Sequence, residues 1–196
     1  MLKKILGAKV INMLCRNIFT QLGSTVYIKN AVGFVHDTYV EIWNASYICY
    51  GLNIQGRGYE NNHIYLQNGV VIERNVSMSL LDNTCIEIGQ DTFIGSGVCF
   101  SGPGNISIGK RCLISAQSGI YANNYNFIDM IKFMRERGIN CQGIIIEDDC
   151  CLGYGVKVLD GVTIGRNSII SAGVIVTQNI PPFSRVTADK GLLLRL

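Results

Sequence analysis

Few side chains in this 196-residue chain suit acid–base, metal or nucleophilic chemistry, so their spacing decides what they can do. The eight cysteines, Cys15, Cys49, Cys85, Cys99, Cys112, Cys141, Cys150 and Cys151, form no CxxC pair and no His–Cys spacing of the kind that holds zinc. No metal site is expected. Asp148 and Asp149 are adjacent, which sends their side chains in different directions and argues for turn residues instead of a paired-carboxylate couple. The two histidines, His36 and His63, are isolated in the sequence. A polar segment remains, Ile120-Tyr-Ala-Asn-Asn-Tyr-Asn-Phe127 followed by Asp129, and it carries Asn123, Asn124 and Tyr125.

The elements that would position these residues follow a six-residue beat. Ile42, Ile48 and Ile54 open it, followed by Leu66, Ile72 and Met78, then Ile88, Ile94 and Phe100. Ile108, Ile114 and Ile120 continue it, then Ile146, Leu152 and Val158, and last Ile164, Ile170 and Val176. A period of six fits neither an amphipathic helix nor a simple alternating strand; it predicts a parallel β-helix of hexapeptide repeats. A beat residue points inward, and the residue four places later is a second inward position that must be small or β-branched. Thr92, Val98, Cys112, Ser118, Cys150, Val156, Val162, Ser168 and Val174 stand there, which gives two of the cysteines a packing role. Gly89, Gly95, Gly109, Gly153 and Gly165 follow beat residues and are expected to take unusual φ values at the turns.

Three short strands complete a coil, and coils stack at about 4.8 Å. Six coils are legible as one extended domain over residues 40–180. Extra residues enter only between triplets, so insertions fall at one corner, and the longest, 121–143, forms an arm there. Pro181-Pro182 is expected to end the coil, because proline donates nothing to a next strand, leaving 181–196 as a tail. A thin prism with flat β faces is expected to self-associate.

Composition narrows the class further. A net charge of +3 with scattered basic residues gives no nucleic-acid footprint. Unpaired cysteines suit a reducing, cytoplasmic setting. Residues 1–39 are expected to hold a short N-terminal helix and a capping segment. The first 20 combine Lys3, Lys4 and Lys9 with Leu2, Ile5, Leu6, Val10 and Ile11, too short and too charged to cross a bilayer and without the pattern of a secretory signal. Two readings stay open for them: a helix capping the solenoid end, or an amphipathic segment resting on an anionic membrane at the inner face.

The stretch Ile144–Ser184, IIIEDDCCLGYGVKVLDGVTIGRNSIISAGVIVTQNIPPFS, closely resembles the left-handed β-helix, hexapeptide-repeat acyltransferases that acetylate sugars, polysaccharide precursors and small metabolites. GVTIG, SAGVIVT and IPPFS carry the resemblance, which covers about Val40 to Ser184. It implies an all-β left-handed parallel β-helix, a homotrimer, acetyl-CoA as acyl donor in a groove between prisms, and a sugar or glycan acceptor. Positions matching donor contacts are Gly153, Tyr154, Ala172, Gly173, Thr177 and Gln178, with Tyr154 replacing a small residue and Gln178 a lysine. Cys151 stands where the family often has tryptophan, and a GNPAK-like turn has become Ala188-Asp189-Lys190-Gly191.

The resemblance also places the family's catalytic histidine at Tyr125, within an arm similar to IYAENHNF. A general base near neutral pKa supplies roughly 10²- to 10⁴-fold, whereas a phenol of reference pKa near 10 is charged in about one molecule per thousand at pH 7. Three roles for Tyr125 stay open: tuned acid/base or hydrogen-bond donor, inert replacement, or a hydroxyl orienting the acceptor beside Asn123 and Asn124. His63 is the one substitute base that can be named, reaching the site only across a trimer contact. Two functions follow: an acetyltransferase acting on a sugar hydroxyl or amine, and a non-catalytic trimeric scaffold or regulatory homologue.

Overall fold

The structure, a computed structural model, describes residues 19–29, 33–35, 38–57, 61–81, 83–126, 132–133, 136–188 and 193–195. Apart from Phe19 and Thr20, the helix expected in the first 20 residues lies outside these, as do His36, Phe127, Asp129 and the Asp189-Lys190-Gly191 turn.

The chain winds into a parallel β-solenoid with three faces. The first face stacks Gln21–Leu22, Thr38–Ile42, Asn62–Leu66, Cys85–Ile88, Ile106–Ile108, Ile144–Ile146 and Thr163–Ile164. The second stacks Tyr27–Ile28, Tyr47–Ile48, Val71–Ile72, Phe93–Ile94, Leu113–Ile114, Cys151–Leu152, Ile169–Ile170 and Ser184–Val186, with Leu193–Arg195 added antiparallel at its end. The third stacks Gly33–Val35, Asn53–Arg57, Ser77–Leu81, Cys99–Ser101, Gly119–Tyr121, Lys157–Leu159 and Ile175–Val176. Beat residues pair with beat residues, as in Ile88 with Ile108 and Ile108 with Ile146. Every one from Ile42 to Val176 is at most 3 % exposed. Each such side chain contributes roughly 1.5–3 kcal/mol by leaving water, so the core is a continuous column.

The stack reaches past both ends of the span expected from sequence. Leu22, Ile28 and Phe34 stand six apart and pair with Ile42, Ile48 and Ile54, adding a coil before residue 40. At the other end Ile180 bridges to Ile164 and Val186 pairs with Ile170, so the chain continues beyond Pro181-Pro182. The prolines are tolerated for a specific reason. In earlier coils the residue after the first-face beat donates its N–H to the next coil, as Gly89 does to Ile108 O and Gly165 to Ile180 O. Among the described residues no strand follows Ile180 on that face, so there Pro181 leaves no acceptor unserved.

The glycines after beat residues do not have the role expected of them. Gly89, Gly95, Gly109, Gly153 and Gly165 are absent from the positive-φ residues. They are needed because the next coil passes too close for a side chain: a Cβ on Gly95 would lie 2.5 Å from Ala116 N. The left-handed conformation falls three places after the beat, at Asn75, Asp91, Gln117, Asp149 and Asn167, with φ between 57° and 61°. Glycine, asparagine and aspartate adopt that conformation most readily.

The second inward positions form a polar ladder at the corner between the first and second faces. Thr92 Oγ1 donates to Gly109 O, Cys112 Sγ to Glu147 O at 3.1 Å, Cys150 Sγ to Gly165 O at 3.3 Å and Ser168 Oγ to Pro181 O. Each serves a carbonyl of the following coil. Ser184 is the last described rung, and among the described residues its buried hydroxyl has no partner. The neighbouring Cys112 thiol, together with burial, pushes the Cys150 thiol up. Both thiols are buried and serve as packing groups.

Candidate functional site

The arm leaves the corner between the third and first faces after Tyr121 and is rooted at both ends. On departure, Ala122 N donates to Ser101 O and Gly104 N to Ala122 O. Asn123 spends its amide on Gly102 O at 3.0 Å and Ser101 Oγ at 3.2 Å, which makes it an anchor of the arm. On return, the Asp160 carboxylate accepts from Gln142 N and Gly143 N, both at 2.9 Å, and Gly161 N donates to Gly143 O. Between these roots Asn124–Tyr125 pairs antiparallel with Ile139–Asn140, and Asn126 Nδ2 donates to Arg137 O. The hairpin presents Tyr125, 56 % exposed, opposite Ile139. The Tyr125 hydroxyl makes no hydrogen bond to a described residue.

The residues matched to donor contacts divide into two groups. Gly153 and Tyr154 lie against Ala172 and Gly173 of the next coil at the corner between the second and third faces, where Gly173 N donates to Tyr154 O at 2.8 Å. Gly155 and Gly173 have φ near 70° and open space where a Cβ would stand, so this edge is smooth, with Tyr154 standing out from it at 62 % exposure. Thr177 and Gln178 follow Val176 and are exposed at the arm's own corner. The third face joins the two edges. Its outward row runs Cys99, Gly119, Lys157 and Ile175 in register.

Sequence reasoning missed two residues here. Lys157 lies on that row and donates from Nζ to Gln117 O, setting an ammonium beside the smooth edge; its place just before the beat residue Val158 was the available signal. Asp160 was missed because its partners are 17–18 residues away across a corner. Tyr121 folds over Gly119, whose missing side chain makes room for the ring. Partial burial, with the nearby Cys99, raises the Tyr121 hydroxyl above its ordinary range.

His63 is on the first face, its ring stacked 4.9 Å from Tyr39 and its Nδ1 3.1 Å from the Tyr65 hydroxyl. Three strand steps separate it from Ile144 at the arm's return, roughly 14 Å at strand spacing, so within one protomer it does not reach the arm. Asp149 makes two 2.7 Å contacts with Arg111, which holds its carboxyl below the usual range, while Asp148 accepts from Lys110 N. They are turn residues with structural partners. Among the described residues no group of three or more His, Cys, Asp or Glu is placed to hold a metal.

Comparison with known proteins places this architecture. Residues 86–121 and 143–178 match the family described as "Hexapeptide repeat of succinyl-transferase". The chain is 35 % identical over 114 residues to a galactoside O-acetyltransferase of Lactococcus lactis, covering 58 % of this chain and 44 % of that protein. It is 31 % identical over 128 residues to a putative acetyltransferase of Staphylococcus aureus, covering 62 % of each. The match thus spans less than two thirds of the length of these relatives. The polysialic acid O-acetyltransferase OatWY has the same fold, with a TM-score of 0.65 at 19 % identity over 90 % of this chain and 88 % of that one. The solenoid, its beat and its arm define a left-handed hexapeptide-repeat β-helix. The chain carries hexapeptide repeats over residues 86–121 and 143–178 and is similar, over part of its length, to acetyltransferases.

Proposed function

We propose that the protein transfers an acetyl group from acetyl-CoA to a hydroxyl or amine of a sugar or polysaccharide-related acceptor. One observation carries this reading: the smooth edge at Gly153, Gly155, Ala172 and Gly173 and the arm bearing Tyr125 border the same face. The edge gives an extended thiol ester a path along the solenoid, with Lys157 beside it to complement phosphate charge. The arm brings Asn124 and Tyr125 to the far border, where an acceptor would be held against the thioester.

Acceptor oxygen or nitrogen attacks the thioester carbonyl, the acceptor's proton passes to a base, and the carbon–sulfur bond breaks to release the CoA thiol. Holding both reactants in place supplies much of the rate, since positioning alone is worth about 7–11 kcal/mol in favourable cases. Tyr125 contributes a hydroxyl that orients the acceptor or shares its proton.

A homotrimer is part of the proposal. Val71, Phe93, Leu113, Cys151 and Ile169 form an in-register outward row on the second face, with Leu113 44 % and Ile169 42 % exposed. Exposed apolar rows of this kind mark association surfaces. A cytoplasmic setting fits the free thiols among the described residues. No helix among the described residues is long and apolar enough to cross a membrane, and residues 1–18 keep both their capping and membrane-contact readings.

A second reading, a non-catalytic trimeric scaffold, is favoured by Tyr125 standing exposed without a described partner where the family has its base. Calorimetric titration with acetyl-CoA, followed by thiol-release assays against a sugar panel, separates the two. Heat of binding and acceptor-dependent thiol release support the transferase; absence of both supports the scaffold.

A further inference from the structure

A cavity of about 330 Å³ opens on the first face at the root of the arm. Asn105, Ser107, Gln142, Thr163 and Ile145 line it, with backbone from Gly143, Ile144 and Gly161. Its size is at the lower end of the roughly 300–1,000 Å³ of small-molecule sites, room for a single ring in preference to a nucleotide.

The lining has a definite chemistry. Among the described residues, the Ser107 and Thr163 hydroxyls and the Gln142 amide enter no side-chain hydrogen bond. Asn105 commits only its Oδ1, which accepts from Cys85 N at 2.8 Å. Neutral donors and acceptors therefore converge without internal partners, around Ile145, an isoleucine 49 % exposed. None of the lining side chains is ionisable. Two carboxylates stand close by and both are engaged: Asp160 by Gln142 N and Gly143 N, and Glu87, paired across from Ser107, by Gln67 Nε2. Uncommitted hydroxyl and amide groups over an aliphatic floor match a molecule with many hydroxyls, an apolar C–H face and no charge.

The cavity is also joined to the candidate reaction site. Asn124 pairs with Asn140, and Gln142 follows two residues later, at most about 7 Å along an extended chain. A molecule seated here lies at the foot of the hairpin that carries Tyr125.

We propose that this cavity seats an uncharged sugar ring of the acceptor, adjacent to the ring that is acylated. This rests on the acyl-transfer reading. The test uses the full chain with isotope-labelled isoleucine methyl groups and no acyl donor. Methyl β-D-galactopyranoside, methyl α-D-glucopyranoside and N-acetyl-D-glucosamine serve as neutral probes, with N-acetylneuraminic acid as the charged one.

The Ile145 methyl signal is expected to move and saturate with at least one neutral sugar and to stay still with the acid. Gln142→Ala is expected to weaken that binding about three- to tenfold, the worth of one hydrogen bond, and Thr163→Trp to abolish it by filling the space. Should the tryptophan variant fail to fold, Gln142→Ala still decides, because its side chain is exposed and holds nothing else. No shift with any neutral sugar, or a shift with the acid alone, overturns the proposal. Turnover of a sugar with Ile145 unmoved and KM unchanged in Gln142→Ala removes the seat and leaves the transferase. Sugar binding at Ile145 without thiol release does the reverse.

Discussion

The Asp160 carboxylate holds Gly143 by a 2.9 Å hydrogen bond from its backbone N–H, and so fixes the returning end of the arm to the coil beyond it. A charged acceptor serving backbone donors at this point sets where the hairpin emerges. Asp160→Ala is expected to cost about 1.5 kcal/mol of local stability, the lower range for hydrogen bonds to a charged group. Acceptor turnover falls while acetyl-CoA affinity is kept. Hydrogen exchange of Gln142 and Gly143, read beside thiol-release kinetics, checks both.

Tyr125 is exposed on the hairpin, so its replacement leaves the core untouched. Tyr125→Phe is expected to lower kcat about tenfold or more if the hydroxyl shares the acceptor's proton, and Tyr125→His to raise it toward a hundredfold, the typical worth of a general base. Steady-state kinetics of both variants with one acceptor decides. An unchanged Phe variant removes Tyr125 from proton transfer.

The donor edge depends on small residues. Ala172→Trp, at an exposed position, is expected to block the edge and raise the acetyl-CoA dissociation constant at least tenfold with little change in melting temperature. Gly153→Ala differs, because its Cβ would lie 2.5 Å from Ala172 N. Forcing the coils apart is expected to destabilise the protein by about 1–3 kcal/mol, the usual cost of overpacking. Calorimetry with acetyl-CoA and thermal melts separate the two effects.

Arg111 lowers the Asp149 carboxyl below its ordinary value. A depressed folded value stabilises above the unfolded pKa, about 3.9, and that contribution is lost as pH falls through the folded value. Arg111→Gln is therefore expected to melt lower than the wild type at pH 6, with the gap narrowing below about pH 4. High salt is expected to shrink the gap at pH 6, since the pair is exposed.

The beat was legible because each coil must point one apolar residue inward per face, and register then repeats it. The first coil is hard to read from sequence although Leu22, Ile28 and Phe34 keep the spacing, since one triplet beside a lysine-containing apolar segment carries little periodicity. At Gly153 and Gly95 the sequence shows that a side chain is missing, and only the stacked coil shows what occupies its place. Adjacency of Tyr154 and Gly173 follows from coil register. The arm's roots do not, because Asp160 and Asn123 reach across a corner where insertions erase the period.

The account stands most directly on product formation. The full chain is incubated with acetyl-CoA and a panel of neutral sugars, and the sugars are analysed by mass spectrometry alongside free thiol. Acetylated sugar equal in amount to released thiol, and lost in Ala172→Trp, is the predicted result. No acetylated sugar or amine from any acceptor, together with no heat of acetyl-CoA binding, contradicts it and leaves the solenoid a scaffold.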